Sequence, residues 1–313
     1  MPVHPQFFQI PQEPMSPAPK KHHLEFPKPL LRFQIHDLSH PGTHAFLSAF
    51  GDSLPTVLHD AVRSVLTLLY TSNKHTLDSA QSQSSQPHSS EPHIPSTRSV
   101  TLILQSMEGV AYTTGLDLDD DHKEIHFSTD YIQGIPEARR KRETLGVLVH
   151  EMVHCWQHNA FGTAPGGLIE GIADWVRLNA DLAPPHWKQE ADGDWDAGYQ
   201  HTGYFLEYLE QRFGKGSIMA VNQELRRKKY DEAAFWQKLF DHDVATLWKQ
   251  YGKSLAKKTA RNSMEEAEQA ESCGDYNSGE IVEKKKDHRR NDEDIRRQHP
   301  RDFAQEMKDL YMT

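Results

Sequence analysis

Apolar residues recur with two different periods along the chain, and the change between them separates a region of strands from a region of helices. Residues 31–35 alternate apolar and polar side chains, which predicts a half-buried strand. Residues 100–105 carry apolar side chains on both alternating faces, which predicts a strand at the centre of a sheet. Ile125 and Phe127 begin a further predicted strand over 125–132. The pattern therefore predicts a small sheet in the N-terminal half.

Helical spacing replaces this alternation in most of the remaining chain. The sequence Asp-Ser-Leu-Pro at 52–55 is typical of a helix start, and an apolar stripe with helical spacing follows from Leu58 to Leu69. After Pro136 six more helices are predicted, over residues 144–158, 168–180, 200–212, 217–229, 231–240 and 243–256. The C-terminal half is therefore expected to be mainly helical.

Three stretches have compositions that do not support a packed core. Residues 1–28 are rich in proline, which predicts an extended, disordered tail. Residues 71–97 consist largely of Ser, Gln, His and Pro, which predicts a disordered insertion. Residues 253–313 are charged and poor in apolar residues, which favours either disorder or a solvent-exposed helix. The predicted folded domain is therefore 29–252.

Two charge clusters have both a structural and a functional interpretation. The acidic run 117–121 is interpreted as a solvated loop, because it lacks the spaced ligands and the glycine of a calcium-binding EF-hand. The basic residues within 284–290 have the composition of a nuclear-import signal. Acidic residues are mixed with them, which favours a solvated run of charges.

Composition excludes several classes of protein. The 313 residues carry a net charge of −10, which argues against a general nucleic-acid binder. The sequence contains no apolar run of about 18 residues, so we expect no membrane span. Two cysteines, Cys155 and Cys273, are too few for a disulfide scaffold. No basic start followed by an apolar stretch marks a secretory signal, so we expect an intracellular protein, cytoplasmic or nuclear.

The sequence His-Glu-Met-Val-His at 150–154 has the spacing of a metal site on a helix. Each helical residue advances about 100°, so His150 and His154 lie about 40° apart on one face and both rings can reach one ion. Glu151 lies about 100° away from His150, where its carboxylate reaches a water molecule rather than the ion. The opposite face is apolar, and burial of these polar side chains would be costly without a ligand or partners.

The next predicted helix carries two further acidic residues. Glu170 and Asp174 are four residues apart and therefore share a face. A catalytic zinc ion takes three protein ligands and keeps one position open, so Glu170 is the expected third ligand of one Zn²⁺ ion. Asp174 is expected to accept the N–H of a ligand histidine and so fix its tautomer. Two alternatives stay open: a surface face in which both carboxylates pair with Arg177, and His158 as third ligand, although helical rise takes it about 6 Å beyond His154.

The stretches 150–157 and 166–174 resemble the plant basic secretory proteins, a family also described as peptidases of plants and bacteria. The run Gly-Gly-Leu-Ile-Glu-Gly-Ile-Ala-Asp at 166–174 is the most specific part, and the resemblance covers roughly residues 30–252 outside the insertion. It implies an α+β, zincin-like fold, in which a small mixed or antiparallel sheet packs on the HExxH helix and the C-terminal half is mainly helical. In such a fold an edge strand aligns an extended substrate, and 124–128 is our candidate for it.

The resemblance also implies a site like that of the thermolysin-like gluzincins. In that pattern His150, His154 and Glu170 bind zinc, Asp174 supports the ligands and Glu151 is the catalytic base. Two family attributes do not transfer, because the chain is acidic, with a pI near 6.0, and has no visible secretory signal.

The function predicted from these residues is zinc-dependent hydrolysis of a peptide or protein substrate. Zinc lowers the pKa of its bound water to about 7, and Glu151 takes the proton as the water attacks and then donates it to the leaving amine. Tyr199, His201 and Tyr204 are candidates for a donor to the carbonyl oxygen, with Tyr199 the first choice. The alternative is a non-catalytic zincin-fold binding protein with structural or absent zinc. Three ligands rather than four favour an open, catalytic site.

Overall fold

The computed structural model describes residues 26–71 and 92–272, with side chains described as far as residue 265. In chain order the elements are β1 (Leu30–Ile35), α1 (Pro41–Phe50), a 3-10 turn (Gly51–Ser53), α2 (Leu54–Tyr70), β2 (Ser99–Gln105), β3 (Ala111–Leu116), β4 (Asp119–Ser128), α3 (Thr129–Gly134), α4 (Glu137–His154), α5 (Gly166–Asn179), α6 (Tyr199–Phe213), α7 (Ser217–Leu225), α8 (Glu232–Phe240) and α9 (Val244–Ser272). The predictions for residues 1–25, 72–91 and 273–313 lie outside the described residues. The mixed α+β composition agrees with the predicted class.

One mixed sheet holds the four strands in the order β1-β2-β4-β3. β1, β2 and β4 are parallel, and β3 is antiparallel to β4. β2 lies inside the sheet, nearly all of it buried, as the apolar pattern predicts. The prediction that 124–128 forms an edge strand is wrong, because this segment belongs to β4, between β2 and β3. The edge beside it is β3, whose polar sequence has no apolar alternation that would have indicated a strand.

The strand predicted over 125–132 has different ends in the structure. β4 begins at Asp119, which pairs with Arg98, so the acidic run 117–121 forms the end of a hairpin rather than a solvated loop. β4 ends at Ser128, whose hydroxyl accepts the N–H of Tyr131 at 3.2 Å and begins α3. Residues 129–132 are therefore helical, because a capping serine ends the strand.

Two helices extend beyond their apolar periods. α4 begins at Glu137, directly after Pro136, rather than at residue 144. Its first turns are charged and solvated, so they carry no apolar period, although the backbone is already helical. It ends at His154 rather than at 158. α9 continues to Ser272 and so includes the first part of the charged segment that begins at 253.

The helices pack around one hydrophobic core. α4 lies against α2 and α5, and α5 lies against α6. An aromatic cluster joins α6, α8 and α9, in which Phe205 contacts Trp236, Trp248 and Tyr251. Among the described residues no helix combines the length and the apolar character needed to cross a bilayer.

The segment just before β2 packs on the domain although composition assigns it to the insertion. Thr97 is buried, and its hydroxyl donates to the carbonyl of Cys155 at 2.7 Å. The backbone N–H of His93 donates to the side chain of Gln223 in α7 at 3.0 Å. These contacts tie the segment to the end of α4 and to α7.

Candidate metal centre

The last turns of α4 hold both histidines of the HExxH sequence against the core. Met152 and Val153, on the other faces of the same turn, are fully buried. That packing fixes the rotation of the helix and turns His150 and His154 to one side, where their rings lie 5.0 Å apart between centroids. His150 is only 7% exposed, so its ring needs polar partners within the protein.

α5 brings the third candidate ligand to the same point. Glu170 lies in the first turns of α5, and its Oε2 is 3.0 Å from Nε2 of His150 and 3.6 Å from Nε2 of His154. The two Nε2 atoms are 3.3 Å apart. Three atoms that each lie 2.0–2.1 Å from a tetrahedral zinc ion are about 3.3 Å from one another. The donor set and its spacing therefore suit one metal ion of the size of zinc.

Hydrogen bonds on the far side of each ring fix the tautomers that metal binding requires. Nδ1 of His150 donates to Oδ1 of Asp174 at 2.7 Å, and Asp174 is 2% exposed. Nδ1 of His154 donates to Oε1 of Gln157 at 2.8 Å. The Gln157 amide has one possible orientation, because its Nε2 donates to the carbonyl of Ile169 at 3.1 Å. Each ring is therefore oriented with Nε2 toward the shared point, where it can bind a metal ion once it is deprotonated.

The electrostatic field at this point favours a cation. Burial disfavours a charged His150 ring, but Asp174 and Glu170 outweigh burial and raise its pKa to about 10. Burial likewise disfavours a charged His154, and Glu170 reverses this and raises its pKa. Burial alone would raise the pKa of Glu170, but the two rings hold it well below its usual range. The groups that attract a proton here attract a divalent cation for the same reason.

Glu151 lies beside this cluster and is held by the edge strand. It is 5% exposed, and its Oε2 accepts a hydrogen bond from Oγ1 of Thr113 at 2.7 Å. The same hydroxyl is 3.0 Å from the backbone carbonyl of Glu151. Among the described residues the metal-capable group consists of His150, His154 and Glu170, and Glu151 is outside it. Its carboxylate thus lies outside the three-ligand cluster.

The three candidate oxyanion donors lie in different places. Tyr199 begins α6 with a φ of 46°, directly after Gly198 with a φ of 90°. This turn stacks its ring on that of His150, with centroids 6.2 Å apart and planes 16° apart. His201 packs on Trp248, with centroids 5.0 Å apart, and Tyr204 packs on Trp187 at 6.3 Å. The structure therefore brings Tyr199 to the cluster and directs His201 and Tyr204 toward neighbouring helices and loops.

Two alternative assignments were left open by the sequence: Arg177 as the partner of both carboxylates, and His158 as the third ligand. The structure gives Arg177 and His158 other contacts. Arg177 is buried and pairs with Glu143 of α4 at 2.8 Å, so it does not form a surface face with Glu170 and Asp174. Nε2 of His158 lies 3.2 Å from the carbonyl of His93, and among the described residues His158 is not in the metal-capable group.

Sequence reasoning missed two residues of the site. Thr113 gives no signal of its own, because its role depends on which strand lies at the edge of the sheet. Gln157 follows His154 by three residues, and that spacing on a helix end was a local signal that could have identified it.

Comparison with protein families supports the resemblance. The model of the family described as "Peptidase of plants and bacteria" matches residues 28–251. No curated protein and no solved structure matches the chain. The matched range covers most of the 313 residues and includes the sheet, α4 and α5, and therefore all three candidate ligands. The chain thus belongs to the family of plant and bacterial peptidases that also carries the name of the basic secretory proteins.

Proposed function

We propose that this protein is a zinc-dependent metallopeptidase with a zincin-like fold, acting on peptide or protein substrates. The observation that carries the proposal is the convergence of two imidazole nitrogens and one carboxylate oxygen at mutual distances of 3.0, 3.3 and 3.6 Å. A bound zinc ion supplies a Lewis acid that lowers the pKa of a water molecule to about 7. His150, His154 and Glu170 would hold that ion.

Glu151 is the proposed general base. Its carboxylate takes a proton from the attacking water and then gives it to the leaving amine, so one residue serves both halves of the reaction. Thr113 restricts that carboxylate to one orientation, because its hydroxyl bonds to Oε2 and lies next to the carbonyl of the same residue. A base in a fixed orientation loses less entropy as the proton moves.

The remaining site residues have positioning roles. Asp174 and Gln157 keep the Nε2 lone pairs of the two ligand rings directed inward. Tyr199, stacked on His150, is the proposed donor to the carbonyl oxygen of the substrate. β3 is the proposed strand along which an extended peptide pairs, since it is at the edge of the sheet and Thr113 on it contacts the base.

The test combines metal analysis with peptide cleavage. We expect the purified protein to bind one zinc ion per chain and to cleave members of a diverse peptide mixture, with fragments identified by mass spectrometry. Glu151→Gln should keep the zinc and lose cleavage, because the substitution removes the base but none of the ligands. Undiminished cleavage by this variant would refute the assigned base.

The main alternative, a non-catalytic binding protein, has a distinct outcome in the same experiment. Stoichiometric zinc without cleavage of any peptide would favour a scaffold built on the metal. A protein that binds no zinc, and whose thermal stability does not respond to chelators, would refute the metal site itself.

A further inference from the structure

A cavity of about 500 Å³ adjoins the candidate metal centre and has no role in the mechanism proposed above. His154 and Gln157 are among the residues that line it, so the cavity shares the side chain of one candidate metal ligand with the site. Its other walls come from the segment before β2, the start of β4, the loop after α4 and the end of α7.

The charged side chains that line the cavity are paired, with one exception. Asp120 accepts a hydrogen bond from Nζ of Lys123 at 2.6 Å. Asp121 lies 3.6 Å from Nε of Arg98. Arg226, at the end of α7, makes no ion pair within the described part of the chain. Within the part of the chain that the structure describes, Arg226 is therefore the charged side chain of this lining that has no ion-pair partner.

The histidine beside this arginine adds no competing charge. Burial lowers the pKa of His158 and the charge of Arg226 acts in the same direction, while the hydrogen bond to the carbonyl of His93 opposes them, so the net effect favours the neutral ring. Its Nε2 bonds to the carbonyl of His93. Arg226 is thus the group in this region that an anionic ligand would pair with, and a guanidinium binds a carboxylate through two parallel hydrogen bonds.

A strained loop sets an aromatic ring at the rim of the same cavity. Ala160, Phe161 and Gly162 have successive φ values of 55°, 59° and 75°, a left-handed conformation that residues with side chains rarely adopt. Backbone bonds hold this loop, since the N–H groups of Gly162 and Ala164 both donate to the carbonyl of Asn159, at 3.1 and 3.2 Å. The result is that Phe161 is 69% exposed and lines the cavity instead of joining the core. The exposed ring offers an apolar surface at the edge of the cavity.

We propose that this cavity is a subsite for a carboxylate of the bound peptide, paired with Arg226 and covered by the ring of Phe161. The proposal rests on the proposed peptidase function and specifies its substrate class. The carboxylate belongs either to an acidic side chain, whose methylene groups contact Phe161, or to the C-terminus of the peptide. Both sources present the same group to the guanidinium, and matched peptides distinguish them.

The experiment uses three series of peptides that share one sequence. The first carries glutamate at one of the positions flanking the cleaved bond and has an amidated C-terminus. The second carries glutamine instead, also amidated, and the third carries glutamine with a free C-terminus. For the full-length protein we expect kcat/KM to be about tenfold or more higher for one of the two carboxylate series than for the neutral series.

Two neighbouring arginines provide the variant and its control. Arg226→Gln should bring the ratio of carboxylate to neutral kcat/KM close to one. Arg227→Gln should keep the wild-type ratio, since Arg227 lies 3.9 Å from Glu224 and does not line the cavity. Equal ratios in wild type and Arg226→Gln would overturn the proposal. An equal loss in Arg227→Gln would also overturn it, because the preference would then come from general surface charge.

A binding measurement separates this proposal from the peptidase function. Titration of the same peptides into Glu151→Gln protein by calorimetry reports the subsite without turnover. If no peptide is cleaved, the proposed function fails, while a tighter Kd for carboxylate peptides that is lost in Arg226→Gln would still support the subsite. Equal affinity for all three series would overturn the subsite, whether or not the protein cleaves peptides.

Discussion

Replacement of Asp174 by asparagine tests whether the residue behind His150 controls the metal site. Asp174 is almost fully buried and accepts the Nδ1–H of His150 at 2.7 Å, so the isosteric Asp174→Asn change alters charge and hydrogen bonding but not volume. The asparagine amide can present an N–H to Nδ1, which would move the ring proton to Nε2 and remove the lone pair that binds the ion.

The expected size of the effect follows from this contact. Substitution of such partners lowers metal affinity by about 10–100-fold, which corresponds to about 1.4–2.7 kcal/mol. A hydrogen bond to a charged group is worth about 1.5–3 kcal/mol, in the same range. We therefore expect the zinc Kd to rise by at least tenfold, while the fold stays intact.

The assay is competition for zinc with a chromophoric chelator, accompanied by circular dichroism to confirm the fold. Asp181→Asn is the matched control, because this substitution removes the same charge from the protein. The Asp181 side chain is 96% exposed and lies just after the end of α5. A zinc Kd for Asp174→Asn within twofold of wild type, in a folded protein, would refute the role given to this residue.

Three further predictions address the base, the packing of α5 and the metal. Thr113→Val should lower kcat about tenfold at unchanged zinc affinity, because Glu151 loses its hydrogen bond. Thr113→Ser keeps a hydroxyl and should therefore keep kcat near that of the wild type. Equal kcat in the wild type and both variants would contradict a role for this contact. Gly171→Val should reduce the free energy of unfolding by about 1–3 kcal/mol in urea titrations, since a Cβ at residue 171 would lie 2.4 Å from Cγ2 of Thr202. Gly134→Ala should have a smaller effect, because the space around residue 134 is open. A larger loss in Gly134→Ala than in Gly171→Val would contradict this packing. A chelator should lower the melting temperature, because zinc at 1,000 times its Kd stabilises the folded state by about 4 kcal/mol, and an unchanged transition would argue against the site.

The candidate ligands could be predicted from the sequence because their geometry is local. Two histidines four residues apart share a helix face whatever surrounds the helix, and so do Glu170 and Asp174. To predict that these residues form one cluster, only one non-local contact had to be assumed, the approach of α5 to α4. Residues 155–165 join the two helices, and the packing of α5 against α4 provides this approach.

The edge of the sheet could not be predicted in the same way. Strand order is decided by pairing between distant segments, and β4 lies between β2 and β3 although it follows both in the chain. β3 has one face toward α4 and the other toward solvent, with Tyr112 and Thr114 exposed. Its sequence is mostly polar on both faces and therefore did not indicate a strand. The contact from Thr113 to Glu151 therefore depends on the strand order, and no spacing in the sequence predicts it.

The distances within the metal centre depend on how α4 and α5 meet, and one buried ion pair sets that contact. Arg177 of α5 reaches across to Glu143 of α4 at 2.8 Å. Its guanidinium passes so close to Gly146 that a Cβ there would lie 2.6 Å from Nε. The pair favours one register, because a shift of α5 along α4 would leave the buried Arg177 guanidinium without its carboxylate. The same register holds Glu170 next to the two histidines, so the geometry of the ligands is a property of the helix interface and not of the HExxH sequence alone.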